Sequence, residues 1–276
     1  MGRLDGRPLE ERPLERGSAA PPLVLAVHGS ALPGAARTLG RLCDRVEELG
    51  GVRPALGHLD HRSPSSPSLA EALRDGAVVV PLLLGDGYHR TVDIPAVVRS
   101  HGSSGRGCVL TDGLSGDRAV ALALRDRLDE AERRSGVRAD AVVLAAAGSS
   151  RPGGNDGARV AVRQLRLLLC GGPVPGGPVP GGPVRGVPVC GAYCSSAGPT
   201  VPEAVARLRT AGYRRVAVAA HLLAPGRFTG ALAEAGADAV ADPIADHPGI
   251  AALVLRRYDS ALRRPGGPAL PVGAAA

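Results

Sequence analysis

LVLAVHGS (residues 23–30) and VVVPLLLGDGYHRTVDIP (residues 78–95) decide the fold. Each is a short run of Val, Leu and Ala that closes on a glycine-bearing turn, and each delivers one histidine at or just after that turn. Runs of this length, apolar throughout rather than alternating, read as parallel strands buried on both faces. In an open parallel sheet, ligands bind in the crevice beyond the carboxyl ends of the strands. His28 and His89 are therefore expected as neighbours at the mouth of one cleft. The strand between them, over residues 52–59, runs out at Asp60-His61, so either residue can be the third functional group there; His58 is expected on the alternate face.

The pattern of elements supports a β/α reading throughout. Ala35, Leu39, Leu42, Val46 and Leu49 recur at helical spacing after the first strand, and Gly50-Gly51 stops that helix. Ser66-Pro67 reads as a cap followed by proline at the first helical position. Residues 77–84 form the most apolar strand, Asp93 is placed to cap a helix opening at Ile94-Pro95, and a long helix is expected from Asp117 to Arg134. The pattern then restarts. VLAVHGSALPGAARTLGRL lies over VLAAAGSSRPGGNDGARVAVRQL, setting His28 against Ala147, Gly29 against Gly148 and Ser30 against Ser149. VVVPLLLGDGYH lies over VAAHLLAPGRFT, setting Pro81 against His221 and His89 against Thr229. The second half has lost both histidines, which assigns the chemistry to the first half and leaves the second as the other wall of the cleft.

The expected organisation is a leader over residues 1–20, a first α/β domain over 21–136 carrying the site, and a degenerate second domain over 137–264. The GGPVPGGPVPGGPV tract gives the second domain a Pro/Gly-rich surface insertion at 171–186, and a loose tail runs from 265 to 276. The expected fold class is α/β: two similar three-layer α/β/α units with parallel sheets, a bilobal internal duplication with right-handed crossovers.

Composition narrows the function. The chain has 276 residues, a formal net charge of +7 carried by arginine without a single lysine, and 44% hydrophobic residues, but no Trp, one Phe and four Tyr. A basic chain first suggests nucleic acid, yet the arginines are scattered and the aromatic groups needed to stack bases are nearly absent. Arginine pairs equally well with the carboxylates of a small acidic molecule. Arg37, Arg90, Arg151 and Arg227 fall near the expected cleft loops, although arginine in place of lysine throughout also fits a GC-rich coding bias. Five cysteines without regular spacing do not make a disulfide framework, and the C-x3-C pair Cys190/Cys194 lacks further ligands in register. No run is long enough to span a membrane and the N-terminus lacks a signal peptide's apolar core, so a cytoplasmic protein binding neither membrane nor nucleic acid is expected. Neither G-x-G-x-x-G nor G-x4-G-K-[ST] occurs, so no nucleotide is called for.

These residues resemble the sirohydrochlorin chelatase family, the class II chelatases that insert Co2+ or Fe2+ into a modified tetrapyrrole. The resemblance is carried by Val27-His28-Gly29-Ser30, by Leu59-Asp60 with Pro67-Ser68-Leu69 after it, by the Pro81–Pro95 run with Tyr88-His89 and Asp93-Ile94-Pro95, and by LLAPGR at residues 222–227. It covers roughly residues 22–263. It implies a bilobal fold, sirohydrochlorin between the lobes, and a product on the route to sirohaem or cobalamin. It also implies that His28 and His89 bind the metal and accept the pyrrole protons, with Asp60 standing where the family commonly has Glu. Gly29, Ser30, Tyr88 and Arg90 are the expected substrate contacts. The divalent ion is then a substrate, no organic cofactor is implied, and a monomer or weak dimer suffices. Two other readings remain open on the residues: a protein that holds a metal or tetrapyrrole for delivery, and a hydrolase using Ser30 with His28, which lacks the strained G-x-S-x-G elbow.

Overall fold

The computed structural model describes residues 20–30, 32–60, 66–73, 76–102, 107–170 and 186–263. The expected leader apart from Ala20, residue His61, the insertion up to residue 185 and the tail lie outside the described residues.

Among the described residues, eight short strands alternate with helices. In the first repeat these are β1 (Leu23–Val27), α1 (Pro33–Gly50), β2 (Ala55–His58), α2 (Leu69–Ala72), β3 (Ala77–Pro81), α3 (Ile94–Gly102), β4 (Cys108–Leu110) and α4 (Arg118–Ser135). In the second they are β5 (Ala141–Ala146), α5 (Asp156–Leu169), β6 (Val189–Tyr193), α6 (Val201–Thr210), β7 (Val216–His221), α7 (Arg227–Ala233), β8 (Ala239–Val240) and α8 (Pro248–Arg263). All pairings are parallel, in the orders β2-β1-β3-β4 and β6-β5-β7-β8. The strands read as uniformly apolar are buried along their whole length in β1, β3, β5 and β7.

The duplication extends to individual hydrogen bonds. Gly29 and Gly148 both turn the chain with positive φ, 101° and 91°, a conformation glycine adopts without steric cost. Ser30 Oγ accepts the N–H of Leu32, and Ser149 Oγ that of Arg151. Ser68 with Glu71 and Thr200 with Glu203 each form a reciprocal capping box, and Asp117 and His247 each accept the N–H two residues on at the start of α4 and α8. Pairing to the central strand corrects one register, however. Ala26 lies beside Pro81, whereas its counterpart Ala145 lies beside Ala220. The alignment after the third strand therefore shifts by one, which sets His221 against Leu82 and, continued without a gap, Phe228 against His89.

Local boundaries also move. β2 starts only at Ala55, after Pro54, which has no N–H to give a ladder. The strand expected to reach residue 84 ends at Pro81. The cap of α2 is Ser68, not Ser66, because Glu71 lies three residues after Ser68 and completes the capping box. Asp93 does not cap: a π-helical turn, His89–Asp93, already precedes α3, and Ile94 N–H donates to His89 O.

Each repeat's last helix covers the other repeat's sheet. α4 packs on β7, β8 and α5, while α8 packs on β3 and α1. A single hydrophobic core consequently runs through the inner layers of both lobes, from Leu25 and Val80 to Leu144 and Ala219, with Leu124, Leu128, Leu253 and Val254 between. Each sheet's outer face has its own smaller core, under α2 and α3 in one lobe and α6 and α7 in the other. Polar ties reinforce the interlock. Asp246 accepts from Arg41 of α1 at 2.7 Å and Arg127 of α4 at 2.6 Å, and the Tyr258 hydroxyl of α8 donates to Pro21 O at 2.6 Å.

Tyr258 is 1% exposed in this shared core. Tyr258→Ala is expected to cost about 3–5 kcal/mol in urea unfolding. Tyr258→Phe, which loses only the hydrogen bond, is expected to cost about 1 kcal/mol.

Candidate active site

The ladder between β1 and β2 continues past both strand ends. Leu59 N–H donates to Val27 O at 2.9 Å and Asp60 N–H to His28 O at 2.8 Å. This fixes the Asp60 backbone beside His28. Its carboxylate Oδ2 lies 3.5 Å from His28 Nδ1 and 3.8 Å from His89 Nε2. The two imidazole rings stand 4.7 Å apart, centroid to centroid, tilted by 44°. One ligand-type atom from each of His28, Asp60 and His89 falls within 4.8 Å of the others. Two imidazoles and a carboxylate are a donor set that suits first-row divalent ions such as Fe2+, Co2+, Ni2+ and Zn2+.

His89 is held by the π-helical turn. Its Nδ1 lies 2.7 Å from Asp93 Oδ2, four residues on. The H-x3-D spacing was legible in the sequence, but beside Ile94-Pro95 it reads as a cap. His58, adjacent in sequence to this cluster, is directed elsewhere: its Nδ1 lies 3.0 Å from Pro67 O.

The cluster opens into a cleft of about 830 Å³ between the lobes, towards the upper end of the usual range for small-molecule sites. Gly29, Ser30, Tyr88 and Arg90 all line it from the first lobe, as do Leu82 and Leu84. The second lobe contributes Gly148, Ser149, Leu222, Arg227 and Phe228. At the positions equivalent to the cluster, that wall carries Ala147, Ser195 and Phe228, since Ser195 N–H donates to Ala147 O as Asp60 N–H does to His28 O. Of the arginines singled out, Arg90 and Arg227 line the cleft. Arg151 instead crosses its rim, with its guanidinium carbon 5.5 Å from the Tyr88 ring centre, and Arg37 is exposed on α1 away from the lining. Arg90 Nε is buried without a hydrogen bond among the described residues. The five cysteines are free, and burial pushes the Cys190 and Cys194 thiols up.

His221, which reads as structural in the sequence because no partner is visible, ends β7, is 4% exposed, and lines the cavity. Burial holds its imidazole down to about 4 from an ordinary 6.5. His247 caps α8 with Nδ1 and faces Asp126 with Nε2 at 3.3 Å.

Two all-parallel α/β lobes thus enclose a cleft with two imidazoles and a carboxylate gathered at the strand ends of the first lobe. The CbiX family model matches residues 22–131 and 141–261, and the chain belongs to that family. A sirohydrochlorin cobaltochelatase of Methanocaldococcus jannaschii is 35% identical over 82 residues, covering 28% of this chain and 57% of that protein. Among solved structures, SirB from Bacillus subtilis with Fe3+ superposes with a TM-score of 0.65 at 20% identity, over 87% of this chain and 95% of that one. SirB from Bacillus subtilis subspecies spizizenii in complex with cobalt gives 0.61 at 17%, over 87% and 94%.

Because the folded chain resists protonating His221 while the unfolded chain does not, stability is expected to fall as pH drops from about 6.5 towards 4. The loss is on the order of 3 kcal/mol. Chemical unfolding across that range should show the decline in the native protein and a shallower one in His221→Leu.

Proposed function

We propose that this chain is a sirohydrochlorin chelatase, placing a divalent ion, Co2+ or Fe2+, into the tetrapyrrole as a step towards sirohaem or cobalamin. The observation that carries the reading is the three-donor cluster at the mouth of a cleft whose other wall has lost every equivalent donor. The ion is a substrate, held by His28 Nδ1, Asp60 Oδ2 and His89 Nε2 before transfer.

The overall change is M2+ plus the free macrocycle giving the metallated macrocycle and two protons. A nitrogen that releases the ion to the macrocycle regains its lone pair at the place where a pyrrole N–H must lose its proton. Ligand exchange and proton acceptance thus use the same imidazoles. The macrocycle lies in the cleft, its flat body against Leu82, Leu84, Leu222 and Phe228. Its peripheral carboxylates meet Arg90 and Arg227 at the edge, where guanidinium–carboxylate pairing is directional. Tyr88, 55% exposed beside His89, and the Gly29-Ser30 turn border the same space. Both walls come from one chain, which supports a monomer.

The direct test is anaerobic spectrophotometric metallation of sirohydrochlorin with Co2+ and with Fe2+. The wild-type protein is expected to outrun the uncatalysed reaction, with His28→Ala and His89→Ala each slower by about 100-fold or more. A protein that binds the tetrapyrrole and the ion yet leaves the rate unchanged would be a delivery protein instead.

A further inference from the structure

Asp93 sits inside a helical turn, so its carboxylate is not needed to cap backbone N–H groups, and it faces His89 Nδ1 at 2.7 Å. An ionised carboxylate only accepts hydrogen bonds. With Asp93 as the acceptor, the proton of this bond sits on His89 Nδ1, and in the neutral ring the lone pair falls on Nε2. That is the nitrogen directed at Asp60 Oδ2. The distance is that of a charge-assisted bond, and the π-helical turn that carries both residues is a form often found at functional sites.

We infer that Asp93 is a positioning residue that fixes the tautomer and the orientation of His89, so that Nε2 is presented as a ready metal donor in the free protein. The inference rests on the metal-holding part of the proposed function but not on the identity of the tetrapyrrole. Without the Asp93 carboxylate, the ring is free to place its proton on Nε2, which must then be lost before an ion binds, and free to turn about its side-chain torsions. Asp60 cannot substitute, because it lies on the Nε2 side. Partners of this kind on a metal-binding histidine typically change metal affinity by about 10–100-fold.

Long-range 1H–15N correlation on the metal-free protein reads the tautomer directly, with His89→Gln identifying the His89 signals. The Nδ1–H form is expected to dominate in the wild type and to give way to a mixture in Asp93→Ala. Titration with Co2+ alone, followed through the visible bands of the bound ion, is expected to show about 10–100-fold weaker binding for Asp93→Ala. Asp93→Glu should recover most of that loss. An Nε2–H tautomer in the wild-type protein overturns the inference, as does Co2+ affinity in a folded Asp93→Ala within twofold of wild type. Failure of sirohydrochlorin metallation by a wild-type protein that passes both tests would instead fall on the proposed substrate.

Discussion

Parallel pairing of β1 with its two neighbours is the constraint from which the site follows. Because β2 and β3 run in the same direction as β1, the chain leaves all three at one edge of the sheet, and residues 28, 60 and 89 arrive together although far apart in sequence. Two backbone hydrogen bonds past the end of the ladder then set the distance between the first two. The third returns through a glycine-bearing loop into a helical turn that holds its ring. A one-residue slip in β2 would turn Asp60 to the other face, so the donor set depends on register as much as on residue type.

Duplication supplies what a single four-stranded sheet cannot. One lobe offers a rim, and two lobes enclose a volume. The exchange of α4 and α8 ties the two walls together, because each sheet is covered on its inner face by a helix from the other half. Separation of the lobes would expose the shared aliphatic core and break the Arg41–Asp246–Arg127 tie. The second wall lines the cleft with Leu222, Arg227 and Phe228 and carries no imidazole or carboxylate at the positions equivalent to the cluster. Phe228, the chain's one phenylalanine, now stands opposite where His89 stands in the first lobe.

Much of this was legible in the sequence because it rests on local pattern. Uniform apolar runs located the buried strands, and the strand-end rule brought His28, Asp60 and His89 to one place. What was not legible depends on long-range geometry or on competing local signals. The helix exchange leaves no periodicity, since α4 and α8 look the same whichever sheet they cover. Asp93 before Ile94-Pro95 carries the ordinary signature of a cap, and only the early start of the helical turn reveals its partner. The register of β7 was misread by one because Leu-Leu matched Leu-Leu, and that error placed His221 against Pro81 instead of against Leu82 on the cleft wall.

The central claim is that one divalent ion is held jointly by His28, Asp60 and His89. Anomalous diffraction from crystals soaked in Co2+ at the cobalt edge tests it most directly. The account predicts one dominant peak within about 2.0–2.3 Å of His28 Nδ1, Asp60 Oδ2 and His89 Nε2. A dominant peak elsewhere, with those three atoms unbridged, would contradict it.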